Sequence, residues 1–193
     1  MKSLNCVVIY GSVRSHRKGI RAARFVVSKL EERGHRVTLV DPVDHDLPFL
    51  DKMYKEFDAG EAPAAMERVA NILDGADAYV MVSGEYNHGI PPALKNLLDH
   101  FQGEFFWKPA GIATYSGGPF GGVRAGIQLR AVLGELGMVT LPSMFPVSRV
   151  GKSLDDDGTP LDDAYDRRVQ KFLDELEWYG AALKLARETG TPY

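Results

Sequence analysis

Ser12, Arg14, Ser15, His16, Arg17 and Lys18 crowd hydroxyls and cations into the segment Gly11-Ser12-Val13-Arg14-Ser15-His16-Arg17-Lys18-Gly19. The segment follows an apolar run and leads into a helical pattern. A helix N-terminus already carries roughly half a positive charge, so cations there are unfavourable unless an anion binds. Gly11 lets backbone approach such a ligand, and exposed N–H groups with the hydroxyls of Ser12 and Ser15 donate to it. Arg14 or Arg17 can grip phosphate oxygens in a bidentate fork. The bland alternative is a solvated basic loop; its position after the first apolar run favours phosphate. Arg21 and Arg24, further along, are expected to point to solvent.

Other candidate chemistry fails on spacing. No G-x-G-x-x-G follows the first apolar run, so the dinucleotide fingerprint is absent. Gly151-Lys152-Ser153 looks like the end of a P-loop, but Pro146 stands where the first glycine is required and an acidic stretch follows where a helix should start. That stretch, Leu154-Asp155-Asp156-Asp157-Gly158, lacks calcium-loop spacing and reads as a solvated turn. Cys6 lies within an apolar run as an inert buried thiol, and no phosphatase-type arginine is in register with it. His35, His45 and His100 have no metal-ligand spacing, and Asp41, Asp44 and Asp46 form no carboxylate pair; all six are expected to decorate loops.

The elements that must position the first loop alternate along the chain. Leu4 to Tyr10 reads as a strand buried on both faces. Ile20, Ala23, Val27 and Leu30 follow at helical spacing with Gly34 as the stop. Val37 to Val40, Ala78 to Val82, Gly111 to Tyr115 and Met138 to Leu141 predict further strands. Between them lie helical stripes at Met66 to Leu73, Pro91 to Asp99 and Val123 to Leu136. The last helix runs through Tyr165, Val169, Phe172, Leu176, Tyr179 and Leu183, and is expected to cover the sheet. Strands alternating with helices imply a doubly wound parallel sheet whose ligand sits beyond the carboxyl ends of the strands. The loops after strands one, three and four are therefore the places to search.

Composition narrows the partner. At 193 residues without an internal linker, residues 1–193 suit one domain, and 45% hydrophobic with 25% charged residues is a globular balance. A net charge of −3 and the lack of a polybasic tract disfavour nucleic acid and anionic membranes as partners. No stretch approaches the ~20 apolar residues of a spanning helix. A lone cysteine needs no oxidising compartment, so cytoplasmic residence is expected.

After the third strand stands Ser83-Gly84-Glu85-Tyr86-Asn87-His88-Gly89-Ile90-Pro91-Pro92-Ala93-Leu94-Lys95-Asn96-Leu97-Leu98-Asp99. It resembles the P-E-Y-N-x-x-x-P-x-x-L-K-N-x-x-D stretch of the NADPH-dependent FMN reductase family, flavodoxin-like proteins that include flavin, quinone, chromate and azo-dye reductases. The first loop is similar to that family's G-S-x-R phosphate loop, and Thr114-Tyr115-Ser116-Gly117-Gly118-Pro119-Phe120-Gly121-Gly122 to its third flavin loop. The resemblance spans roughly residues 4 to 142 and implies a five-stranded parallel sheet of order 2-1-3-4-5. It further implies that Gly11, Ser12, Arg14 and Arg17 hold the FMN phosphate. Glu85, Tyr86, Asn87 and His88 would line the isoalloxazine ring, with Tyr86 against the ring system and backbone amides near Asn87 and His88 at its polar edge. Ser116, Gly117 and Gly118 would close the other side. Two departures stand out: Gly84 replaces the usual proline, which should loosen the turn, and Arg17 replaces a common serine, so it either strengthens the clamp or swings into solvent.

The resemblance implies an FMN-dependent oxidoreductase passing hydride from NADPH or NADH to a quinone, free flavin or similar small-molecule acceptor. With one nucleotide site and no second fingerprint, donor and acceptor are expected to alternate in a ping-pong course. The rivals are an electron carrier that turns over no nicotinamide and a flavin-sensing interaction protein. Phe101, Phe105, Phe106 and Trp107 crowd the segment after the flavin-loop helix; with the family's habit of associating there, they suggest a homodimer or homotetramer, a core plug being the alternative.

Overall fold

The computed structural model describes residues 3–193. Five parallel strands, β1 (Asn5–Tyr10), β2 (Arg36–Val40), β3 (Ala78–Ser83), β4 (Pro109–Tyr115) and β5 (Val139–Val147), lie in the order 2-1-3-4-5. Each strand feeds a crossover helix: α1 (Ile20–Glu32), α2 (Ala64–Asp74), α3 (Pro92–Asp99), α4 (Val123–Glu135), then the short α5 (Val150–Ser153) and the long α6 (Ala164–Glu188). The period-2 geometry of a strand sends alternate side chains to opposite faces. Cys6, Val8 and Tyr10 of β1 join the core beneath α1 and α6, while Val7 and Ile9 join the one beneath α2, α3 and α4. Val80 and Val82 of β3 divide from Tyr79 and Met81 in the same way. Both faces are covered, which is why these strands read as continuous apolar runs rather than alternating ones.

The long helix covers the sheet as expected, with Val169, Phe172 and Leu176 in the core. Strand β5 extends well past the expected Leu141, through Pro142 and Pro146. Proline breaks a central strand, but β5 is an edge strand, where a missing ladder donor is tolerated. The exposed-side backbone is still used, since Ser143 N donates to Glu175 of α6 at 2.9 Å.

Several surface expectations are corrected. Phe101 and Phe105 are fully buried, and Phe106 and Trp107 pack against Tyr193 with centroids 5.5 and 4.8 Å apart, so this aromatic segment plugs the core and edge rather than presenting a partner surface. Arg21 does not face solvent: it pairs with Asp156 and donates to Leu154 O at 2.9 Å, anchoring the acidic turn to α1. Arg24 is exposed as expected and donates to Asp156 O at 2.6 Å. His35, His100 and Asp41 are buried rather than decorating loops. His35 accepts from Leu4 N at 3.2 Å and lies 3.0 Å from Glu177 of α6, while His100 Nδ1 lies 2.7 Å from Asn96 O. Cys6 is buried as expected, and burial pushes its thiol up to about 12.

Candidate functional site

At the carboxyl end of β1 the chain turns under α3. Gly11 N donates to Val82 O at 3.1 Å, and a Cβ on Gly11 would lie 2.9 Å from that of Leu94. Close packing by α3 therefore requires this glycine, whatever binds outside. Ser12 is buried, and its Oγ lies 2.9 Å from the Tyr86 hydroxyl, tying the loop after β1 to the loop after β3. The backbone N–H groups of Val13, Ser15, His16 and Arg17 have no acceptor among the described residues. Arg14 is exposed and pairs with no carboxylate among the described residues. Arg17 does not swing into solvent. It donates to Ser12 O at 2.9 Å, pairs with the buried Asp41 beyond β2, and lies 5.3 Å over the Tyr10 ring. The hydrogen bond to Asp41 raises its already high pKa, so it stays a fixed cation buttressing the loop.

The loop after β3 is a tight hairpin. Tyr86 N donates to Gly89 O at 3.0 Å and Gly89 N returns to Tyr86 O at 2.9 Å, with Asn87 and His88 both left-handed at φ 50° and 67°. Two positive φ values at the centre of a two-residue turn are the mark of a type I′ hairpin, and Asn and His are among the residues that tolerate them. Gln128 of α4 braces the turn, donating to His88 O at 3.2 Å and accepting from Ile90 N at 3.3 Å. Asn87 and His88 are exposed at the tip. Glu85 is turned the other way. Its carboxylate accepts from Arg124 N at 3.0 Å, from Ala125 N at 3.4 Å and from the Arg124 guanidinium at 3.0 Å, capping α4. Burial pushes this carboxyl up, but those hydrogen bonds outweigh it and hold the pKa below the usual range.

Tyr115, at the end of β4, is the piece that sequence reading missed. Its ring fills the space beside two glycines: a Cβ on Gly19 would sit 2.0 Å from the ring, and one on Gly84 3.0 Å from its hydroxyl. That hydroxyl donates to Tyr10 at 3.3 Å, and burial pushes its pKa well up. At Gly84 the space that a larger residue would need is taken up by Tyr115. Ser116 braces the third loop, donating to Gly118 O at 2.8 Å and accepting from Gly121 N at 2.9 Å.

Ser12, Arg14, Arg17, Tyr86 and Gly117 come together around a cavity of about 310 Å³, with Lys18, Tyr115, Arg149 and Lys152. Arg14 and Tyr86 also line an adjoining space of about 350 Å³ with Glu85 and Asn87. Each is within the usual ~300–1,000 Å³ of a small-molecule site. Gly11, His88, Ser116 and Gly118 line neither; they shape the loops from behind or at the tips. No carboxylate lines the first cavity, so its donor set of guanidinium, ammonium, hydroxyl and free N–H groups suits a phosphate ester. A separate groove of about 400 Å³ between Pro42–Phe49 and α3 is mostly apolar and holds no lysine or arginine.

The model of the NADPH-dependent FMN reductase family matches residues 4–152. The chain belongs to this family. Membership makes it an FMN-dependent oxidoreductase that uses NAD(P)H. A probable NADPH:quinone oxidoreductase of Oryza sativa subsp. japonica is 31% identical over 189 residues, 94% of each chain. An NAD(P)H-dependent FMN reductase of Schizosaccharomyces pombe is 43% identical, but over 72 residues, 37% of this chain and 35% of that one. Among solved structures, the flavoenzyme NAD(P)H:(acceptor) oxidoreductase FerB of Paracoccus denitrificans superposes with TM-score 0.74 over 92% of this chain and 98% of that one; at 22% identity it attests the shared fold. In this reductase the family stretch around Lys95, Asn96 and Asp99 proves structural. Lys95 pairs with Asp99 at 2.6 Å along α3, and Asn96 staples the preceding loop through Pro48 O at 2.8 Å and Leu50 N at 3.0 Å.

Proposed function

We propose that this reductase holds the FMN phosphate between Arg14, the Ser12 hydroxyl and the free N–H groups of Val13, Ser15, His16 and Arg17, with the ring laid along Tyr86 and the Asn87–His88 turn. The observation that carries this is the 2.9 Å link between Ser12 and Tyr86 beside an Arg14 that is unpaired among the described residues, which joins the two adjoining cavities into one elongated site. Arg17, fixed by Asp41, adds positive field and holds the loop in shape. When bound, FMN supplies hydride acceptance from the nicotinamide and electron delivery to a flat acceptor such as a quinone or free flavin. Tyr86 and the hairpin orient the ring, and Ser116, Gly117 and Gly118 border its other side. No side chain has to serve as nucleophile, because a near-attack geometry of about 3–3.5 Å is supplied by stacking. Donor and acceptor share that stacking face in turn, which gives a ping-pong course with parallel double-reciprocal lines; intersecting lines together with a trapped ternary complex would refute it.

The folded residues pack on one sheet, which supports reading the chain as one FMN-binding domain. The proposed assembly is a homodimer through the apolar groove beside α3, where Phe49 is 87% exposed, in place of the buried aromatic segment. Light scattering that gave a monomer mass at every concentration would remove it. No described helix is long and apolar enough to cross a membrane, and a free buried Cys6 supports cytoplasmic residence. The deciding experiment titrates the apoprotein with FMN and riboflavin, then mixes the FMN-loaded protein rapidly with NADPH or NADH. FMN preferred over riboflavin, with prompt bleaching, is expected; binding without bleaching would instead mark an electron carrier.

A further inference from the structure

The loop after β4 carries one large side chain that the flavin site leaves unused. Phe120 is 63% exposed, and of the exposed aromatic residues Phe49, Phe120, Trp178 and Tyr193 it alone belongs to one of the three loops around the proposed site. A lone exposed apolar residue is ordinary on any surface. Phe120 differs in how firmly it is held outward. Ser116 Oγ spans the base of its loop between Gly118 O and Gly121 N, and Ser148 Oγ donates to Pro119 O at 2.8 Å. Gly121 and Gly122 are left-handed at φ 64° and 77°, and a Cβ on Gly122 would lie 2.6 Å from Tyr115 O. The loop is therefore clamped on both sides of the ring.

Phe120 also rests on the machinery of the neighbouring loop. Arg124 Cζ lies 4.8 Å from the Phe120 centroid, and the same guanidinium donates to Glu85 Oε1 at 3.0 Å. Glu85 lines the cavity of about 350 Å³ with Arg14, Tyr86 and Asn87, so Phe120 stands one guanidinium away from it. The cation takes one face of the phenyl ring, and the exposure leaves the other face to solvent. On the approach between cavity and ring, a Cβ on Gly117 or Gly118 would meet nothing within 4 Å, so no side chain fills that strip. Ile127, also exposed, is a helical neighbour of Arg124 and extends the apolar surface. Because Glu85 balances the charge of Arg124, this wall suits a flat molecule without charge.

We infer that Phe120 is a specificity-determining residue of this reductase, whose free face stacks on flat, uncharged aromatic acceptors and favours them over acceptors without a ring. This rests on the flavin site proposed above. The test removes the nicotinamide: FMN-loaded protein, reduced with one equivalent of dithionite, is mixed rapidly with an acceptor. One 1,4-naphthoquinone takes two electrons and two protons, whereas two ferricyanide ions take one electron each and the protons go to solvent. In Phe120→Ala the second-order rate constant for naphthoquinone should fall about tenfold, as loss of a stacked ring predicts, and that for ferricyanide should move less than about twofold. Phe120→Leu, which keeps apolar bulk, should fall as far as Phe120→Ala, and Phe120→Tyr should stay within about twofold of wild type. Without any turnover, 2-naphthol should bind oxidised FMN-loaded Phe120→Ala about tenfold more weakly than wild type by calorimetry, while FMN affinity and apoprotein Tm hold. Equal loss for both acceptors, no loss for naphthoquinone, wild-type rates in Phe120→Leu, or a fall in FMN affinity would each overturn the inference. Failure of the wild type to bind FMN would instead overturn the flavin site itself.

Discussion

Arg14 and Glu85 show how differently two charged residues of one site are employed. The Arg14 guanidinium has no protein partner among the described residues, so it is free for an anion; charge-assisted hydrogen bonds contribute about 1.5–3 kcal/mol each. Arg14→Ala should weaken FMN by about tenfold or more while riboflavin affinity hardly moves, as read by flavin fluorescence quenching. Equal loss for both flavins would remove the phosphate role. Glu85 spends its carboxylate on the start of α4 and on Arg124, so Glu85→Gln should cost stability, by about 1 kcal/mol as for other lost helix caps, measured by denaturant titration. Its pKa is lower folded than unfolded, so the unfolded chain binds more protons near that range. The stability it adds is present above the ordinary carboxylate pKa and is lost as pH falls through the folded value; the variant should lack this acid-side slope. The exposed, unpaired placement of Arg14 among the described residues agrees with its sequence reading, because a cation in a phosphate-loop pattern needs only its own neighbours to be interpreted, and its phosphate role stays a proposal. Glu85 was not legible, because its partner is 39 positions away and only the crossover between β3 and α4 brings them together.

At the scale of elements, the site depends on how closely α1 and α3 approach the strand ends. Tyr115 closes over the residue that precedes α1, and a methyl at Gly19 would have to occupy the ring's own space. Gly19→Ala should therefore displace Tyr115 or shift the start of α1, costing about 1–3 kcal/mol as overpacking does, and should weaken FMN binding as well. The pairing of Gly19→Ala with Tyr115→Ala should recover much of the thermal stability; if the double variant is no better than additive, the ring is not the obstacle. The strands and long helices were readable because their periodicities are local. The tail of β5 was hidden by Pro142 and Pro146, whose acceptance depends on an edge position that no local pattern reports. The cavity lining at Arg149 and Lys152 was hidden likewise, since a four-residue helix has no period to detect.

Across the whole molecule, the two ends of the sheet carry different duties. The proposed site lies beyond the carboxyl ends of the strands, while the amino ends fasten α6, whose 25 residues span about 37 Å at 1.5 Å per residue. Asp77, just before β3, accepts from Asn5 N at 2.8 Å and pairs with Lys184 at 2.8 Å and Arg187 at 3.6 Å. Arg187 also donates to Trp107 O at 2.9 Å, so one carboxylate ties β1, β3 and the last turns of α6 into a single knot. Asp77 is 8% exposed but Lys184 remains partly solvated, which discounts the ion pair and leaves the buried backbone donor as the larger loss. Asp77→Ala should then cost about 2 kcal/mol, the scale of a charged hydrogen bond, and lower Tm by about 4–8 °C for a chain of this size. Because the knot and the cavity sit at opposite ends of a rigid parallel sheet, FMN affinity and KM for the nicotinamide should stay within about twofold at 25 °C, as expected for well-separated sites. Arg14→Ala should do the reverse, leaving the Tm of the flavin-free protein in place while flavin affinity falls. A loss of FMN affinity in Asp77→Ala at temperatures where it is fully folded would mean that the sheet transmits strain from one end to the other, and that fastening and binding are not separate duties.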